Sequence, residues 1–136
     1  MDYVNPSREN FDRFKAQPRG APMHLLNMIR YRELAAYPEG HPCAGLDWSG
    51  ERAFAEYLHL VVPFIEKLGG GIVWQGTFDG VITGPEQFEW DKVFVMGFPR
   101  ADTFLALVSD PDYKANVVDH RTAAVLDSRL VRYLPG

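Results

Sequence analysis

The chain has 136 residues, enough for one domain that buries roughly two thirds of its unfolded surface. Hydrophobic residues make up 46% and charged residues 24%, which excludes a disordered chain. The net charge of -4 argues against nucleic acid as a partner, because phosphate contacts need a clustered surplus of Lys and Arg.

No apolar run nears the ~18 residues of a membrane-spanning helix, and Met1-Asp2-Tyr3 lacks the basic start of a signal peptide. One cysteine, Cys43, can form neither an internal disulfide nor a zinc site of several thiolates. A cytoplasmic location without a membrane partner is expected.

Ser7 reads as the N-cap of a first helix with Phe11 and Phe14 on one face, ended by Gln17-Pro18-Arg19-Gly20. Residues 1–20 are thus an N-terminal helical appendage to a single domain covering 1–136. Met23 to Tyr31 is the first strand, apolar except for His24, Asn27 and Arg30. The segment from Arg32 to Ser49 is long for a loop in a compact domain, and such loops are usually lids or partner contacts. A helix begins near Ser49-Gly50, with Phe54, Tyr57, Leu58, Val61, Ile65 and Leu68 as its apolar stripe. Pro63 kinks it without breaking it, and Gly69-Gly70-Gly71 stops it.

Ile72 to Phe78 is the second strand, and Val81-Ile82-Thr83 extends the hairpin after the Asp79-Gly80 turn. The third strand alternates Val93, Val95 and Gly97 with Phe94, Met96 and Phe98, and stops at Pro99. Phe104, Leu107 and Val108 recur at helical spacing. Asp110 then caps a further helix, with Pro111 at its first position. Val125 to Leu134 is the last strand. The order predicts an α+β fold: a ferredoxin-like βαββαβ antiparallel sheet with helices on one face. Trp74, Phe78, Phe94, Met96 and Phe98 cannot all point at the helices, nor can their neighbours Val73, Val93 and Val95, so both faces are apolar and a second copy of the chain is the simplest cover for the second.

Several segments together carry a family resemblance. They are Leu25 to Glu33, Gly69 to Gly76, Trp90-Asp91-Lys92-Val93, Phe98-Pro99, Asp110-Pro111-Asp112-Tyr113 and His120 to Ala124. In this order they resemble the domain-of-unknown-function family 1330, over about Ser7 to Leu134. Arg100 departs from the pattern by standing where a Ser helix cap is usual. The resemblance implies the dimeric α/β-barrel superfamily, in which two sheets close face to face in a homodimer. That superfamily includes cofactor-free monooxygenases, haem-degrading enzymes and small dehydratases. The resemblance itself assigns no activity.

Asn27 and Arg30, three apart on a strand, face opposite ways. Asn27 resembles the first-strand Asn that holds oxygenated substrates in the cofactor-free oxygenases. The bland alternative has Asn27 bonded to a neighbouring loop and Arg30 paired with a carboxylate such as Asp127. His120-Arg121 reads either as a cation favoured by the helix macrodipole or as a site. In the second reading Arg121 grips a substrate carboxylate and His120 serves as acid or base. Trp74, Trp90 and Tyr113 line a pocket or fill the core and dimer interface. The candidates are therefore Asn27 and His120 for catalysis, and Arg30, Trp74, Trp90, Tyr113 and Arg121 for binding. His24, His41, His59 and His120 are isolated, so neither a metal nor another cofactor is expected. Two functions remain open: a protein that binds or transforms a small acidic or aromatic molecule in the barrel cavity, or a non-catalytic module whose sheet face is used up by dimerisation.

Overall fold

The computed structural model describes residues 2–136; Met1, the first residue of the expected appendage, lies outside them. Alternation along β1 (Met23–Tyr31) assigns its faces: Met23, Leu25, Asn27 and Ile29 are buried, while His24, Leu26, Met28 and Arg30 are only half-buried. β3 (Lys92–Phe98) follows suit with Phe94, Met96 and Phe98 buried. It pairs antiparallel with β1, Leu25 opposite Met96. β4 (Val125–Tyr133) pairs antiparallel with the other side of β1, placing Arg132 opposite Leu25, and β2 (Gly71–Thr77) lies outside β3. The order β2-β3-β1-β4, with helical connections between β1 and β2 and between β3 and β4, is the expected ferredoxin-like arrangement.

Caps set the helices. α1 (Arg8–Ala16) starts where the Ser7 hydroxyl accepts the Asn10 N–H at 3.1 Å. α2 (Gly50–Lys67) starts where Ser49 does the same for Arg52 at 3.0 Å. α2 lays Ala53, Phe54, Tyr57, Val61 and Ile65 against the sheet, and each large side chain fully buried there contributes about 1.5–3 kcal/mol. The stripe is narrower than its spacing suggests, because Leu58 is half-buried and Leu68 already belongs to the cap. The helix runs through Pro63. It ends as Gly69 turns to a positive φ of 86° and the Gly70 N–H reaches back to the Ile65 carbonyl at 2.9 Å.

α3 (Ala101–Ser109) begins at Arg100 without a side-chain cap. The Asp110 carboxylate accepts the N–H groups of Asp112 (2.8 Å) and Tyr113 (3.1 Å), which restarts the helix as expected. That helix passes through one π-turn (Tyr113–Val117) before α4 (Val118–Ala124).

One expected element is absent: Val81-Ile82-Thr83 forms no strand, and Ile82 is fully exposed. The outer edge of β2 is free, but the Phe78 N–H bonds the Asp91 carbonyl at 3.0 Å, so this segment belongs to the loop that joins β2 to β3 and does not fold back along β2. The loop is instead pinned by the stacked rings of Phe78 and Phe88, 5.1 Å apart. The face of the sheet turned away from the buried side of β1 and β3 carries Leu26, Met28, Val93, Val95, Val131 and Trp74. They are half-buried to exposed.

Candidate functional site

The edge strand β4 and the segment before α1 meet across more than 100 residues of sequence. The Tyr3 N–H donates to the Asp127 carboxylate at 2.7 Å, and the Ser128 hydroxyl donates to the Tyr3 carbonyl at 2.8 Å. Arg121, in the last turn of α4, donates to the Val4 carbonyl at 2.7 Å and reaches the Ser128 hydroxyl at 3.4 Å. α1 then turns Phe14 onto Phe104, with ring centroids 5.6 Å apart. Between this N-terminal segment and the sheet lies a cleft of about 600 Å³, within the range of small-molecule sites. Its apolar walls include Leu25, Phe11, Phe14 and Phe104, and its polar ones Ser128, Arg121, Arg129 and Arg132.

The three guanidinium groups differ. Arg129 is neutralised by Asp127 at 2.7 Å and held between the rings of Tyr3 and Trp90, each 4.9 Å away. Burial pushes the Asp127 carboxyl up, but the Tyr3 N–H, the Arg129 guanidinium and the Ser128 N–H outweigh it and hold it below the usual carboxylate range. Arg121 and Arg132 have no carboxylate partner among the described residues. Arg132 lies over the Phe14 ring and donates to the Pro18 carbonyl at 2.8 Å, while its Nη1 is buried with no hydrogen-bond partner. The hydroxyls of Tyr57 and Tyr113, 3.1 Å apart, bond each other in the core. Burial raises Tyr57 well above the ordinary tyrosine value, and the charge of Arg121 opposes the rise.

Of the sequence candidates, only Arg121 lines this cleft. Asn27 is on the same side of the sheet, buried, with its amide donating to the Leu25 carbonyl at 3.1 Å instead of to a loop. Tyr113 is buried beside Tyr57. Arg30 is on the opposite face and pairs with Glu89 at 3.7 Å, not with Asp127, which Arg129 has already taken. Trp74 is 55% exposed with its ring folded over Gly76 on the strand edge. Trp90 backs Arg129.

His120 and Arg121 do not converge, because successive helical residues point about 100° apart. His120 turns away from the cleft to the Arg32–Ser49 loop, where its Nδ1 meets the Tyr37 hydroxyl at 2.6 Å. The loop lines neither this cleft nor the smaller hollow at Gly69–Gly71, and it is tied to α4 through Arg32 and Ala36. Sequence reading missed Ser128, Arg129, Arg132 and the N-terminal wall. The one available signal was Arg132, a cation at a core-facing position of the last strand.

The Tyr37–His120 contact sets a pH dependence. His120 is pushed below its ordinary value of 6.5 by burial, with the His41 charge acting the same way and Glu56 and Asp119 opposing. Tyr37 is pushed up to about 12 by burial and by the nearby Cys43 and Glu56 charges. The proton therefore stays on the hydroxyl, and Tyr37 donates to Nδ1. A depressed histidine stabilises the fold fully above 6.5 and progressively less as pH falls toward its folded value. The raised tyrosine is at full effect below 10 and loses it between 10 and about 12. Melting temperatures from about pH 8 to about pH 5 should fall less steeply in His120→Gln than in the unaltered chain. Parallel curves would contradict this role for His120.

Residues 43–134, more than half of the chain, match the domain of unknown function DUF1330. The chain belongs to the DUF1330 family. Two crystal structures resemble this DUF1330 member along its whole length. The RPA0582 protein of unknown function from Rhodopseudomonas palustris, a structural genomics target, is 39% identical with a TM-score of 0.88, covering 100% of this chain and 98% of its own. The methylated RPA0582 protein is 40% identical, also with a TM-score of 0.88, covering 99% and 96%. No curated protein matches the chain. The family match omits α1 and β1, but the likeness to RPA0582 includes the segment that walls the cleft. No helix among the described residues is long and apolar enough to cross a membrane, and none of their His, Cys, Asp and Glu side chains form a group that could hold a metal ion.

Proposed function

We propose that this DUF1330 member binds a small organic acid with an apolar or aromatic body in the cleft between its N-terminal segment and β4. The observation that carries this reading is Arg121, a guanidinium lining a 600 Å³ cleft with only a backbone carbonyl and a hydroxyl for partners. Arg121 has no carboxylate partner among the described residues, so its guanidinium is open to an anion from outside the chain. Its planar fork matches a carboxylate in two places. The Phe11, Phe14 and Phe104 rings and Leu25 supply the apolar contact for the rest of the molecule. The lining contains no His, Cys, Asp or Glu, which favours binding over acid–base chemistry there.

The proposal includes a homodimer. Leu26, Met28, Val93, Val95 and Val131 form an apolar face that a second copy would cover. Arg121, Leu25 and the phenylalanine rings of the cleft lie on the other side of the sheet, while Val131 and Arg129 border both, and a dimer would have twice the 15.4 kDa chain mass. The free thiol of Cys43 suits a reducing cytoplasmic setting.

Calorimetric titration tests the binding. Phenylacetate should bind at least about tenfold more tightly than phenylacetamide, a difference of roughly 1.4 kcal/mol. Equal affinities, or none for either, would overturn the reading.

A further inference from the structure

The segment before α1 is held to the body of the protein in a way that bears on the cleft. Three long-range hydrogen bonds and one ring contact attach it: Tyr3 N–H to Asp127, Ser128 to the Tyr3 carbonyl, Arg121 to the Val4 carbonyl, and the Tyr3 ring on Arg129. Beyond these, only Val4 of the segment packs against the core, and it is half-buried. Asp2, Tyr3 and residues 5–10 are exposed, and α1 fully buries none of its residues. By contrast Asp127 and Ser128, on the other side of these bonds, are 4% and 5% exposed. Segments with few buried contacts open at low cost relative to the core.

The Val4 carbonyl therefore occupies the cation that gives the cleft its preference for acids. We infer that residues 3–7 form a strap that blocks the anion position through the Val4 carbonyl and yields it when an acid binds. The inference rests on the proposed binding of an organic acid in this cleft. The exchange favours the ligand on chemical grounds. A carbonyl offers Arg121 one neutral acceptor, whereas a carboxylate offers two charged oxygens in the plane of the fork and adds the attraction of opposite full charges. No bond is made or broken beyond these hydrogen bonds. The Tyr3 ring on Arg129 helps hold the strap closed, and Arg129 keeps its Asp127 partner when the strap lifts.

Amide hydrogen exchange at Tyr3, followed by NMR on the full chain with phenylacetate as the probe, tests the strap. Saturating phenylacetate should speed exchange at Tyr3 by about tenfold or more while leaving core amides of β1 unchanged. Tyr3→Ala removes the ring tether without touching Arg121 and should bind phenylacetate several-fold more tightly. Binding with Tyr3 exchange unchanged or slowed, or a Tyr3→Ala variant that binds no more tightly, would overturn the strap and leave the cleft reading standing. Failure of both the unaltered chain and Tyr3→Ala to prefer phenylacetate over phenylacetamide would overturn the two together.

Discussion

Gly50→Ala is expected to lower the melting temperature by roughly 10 °C, a loss of about 3 kcal/mol for a chain of this size. Gly50 is the first residue of α2 and sits where three elements meet. Its N–H donates to the Arg32 carbonyl at the end of β1 (3.0 Å), and the Arg32 N–H donates to the Ala124 carbonyl at the end of α4 (2.8 Å). A Cβ at Gly50 would lie 2.1 Å from the Arg32 carbonyl oxygen and 2.8 Å from that of Ala124. Both obstacles are backbone, so relief requires moving β1 or α4 away from α2, against the packing of Ala53 and Phe54 one turn on. Gly45→Ala is the control, because nothing lies within 4 Å of its added Cβ, and it should stay within about 0.5 kcal/mol of the unaltered chain. Thermal melts that coincide for the two variants would contradict the junction.

Arg121→Lys should separate binding from stability. Lysine keeps the charge and reaches one acceptor, but it loses the fork that holds a carboxylate at two points. Phenylacetate affinity should fall by about tenfold or more, equivalent to at least ~1.4 kcal/mol. The fold should lose less, because the partners of Arg121 are the Val4 carbonyl and, at 3.4 Å, the Ser128 hydroxyl, with no buried carboxylate left uncompensated. A bond with a charged donor is worth about 1.5–3 kcal/mol, and lysine keeps one such bond, so the melting temperature should drop by only a few degrees. Arg30→Lys, on the opposite face in an exposed pair with Glu89, should change neither quantity. Unaltered affinity in Arg121→Lys beside a large loss of stability would make Arg121 a structural residue only.

What was legible in the sequence was local. Alternation bounded β1 at Met23 and Tyr31, and Ser7, Ser49 and Asp110 marked helix starts because a short polar side chain there satisfies an otherwise unpaired N–H. The glycines after Lys67 marked a stop because of the backbone conformation that Gly69 adopts. Features that depend on distant partners left no such trace. Val81-Ile82-Thr83 has strand composition but lies in the loop that joins β2 to β3, and it does not pair with the free edge of β2. Gly50 looked like a cap neighbour, and its need to be small comes from carbonyls 18 and 74 positions away in sequence. The spatial arrangement of the candidate residues was hidden for the same reason. His120 and Arg121 are adjacent in sequence yet diverge around a helix, while Val4, Arg121 and Ser128 converge only through the fold. The proposed binding cleft lies on the helix-bearing side and is bordered by the N-terminal segment read from the sequence as an appendage.

The most direct measurement is a crystal structure of the protein grown with phenylacetate. The carboxylate should sit within hydrogen-bonding distance of the Arg121 guanidinium, in place of the Val4 carbonyl, with the ring among Phe11, Phe14 and Phe104. Phenylacetate seated on the open face of the sheet, or an unchanged Arg121–Val4 bond with the cleft empty at a concentration that saturates binding in solution, would contradict the account.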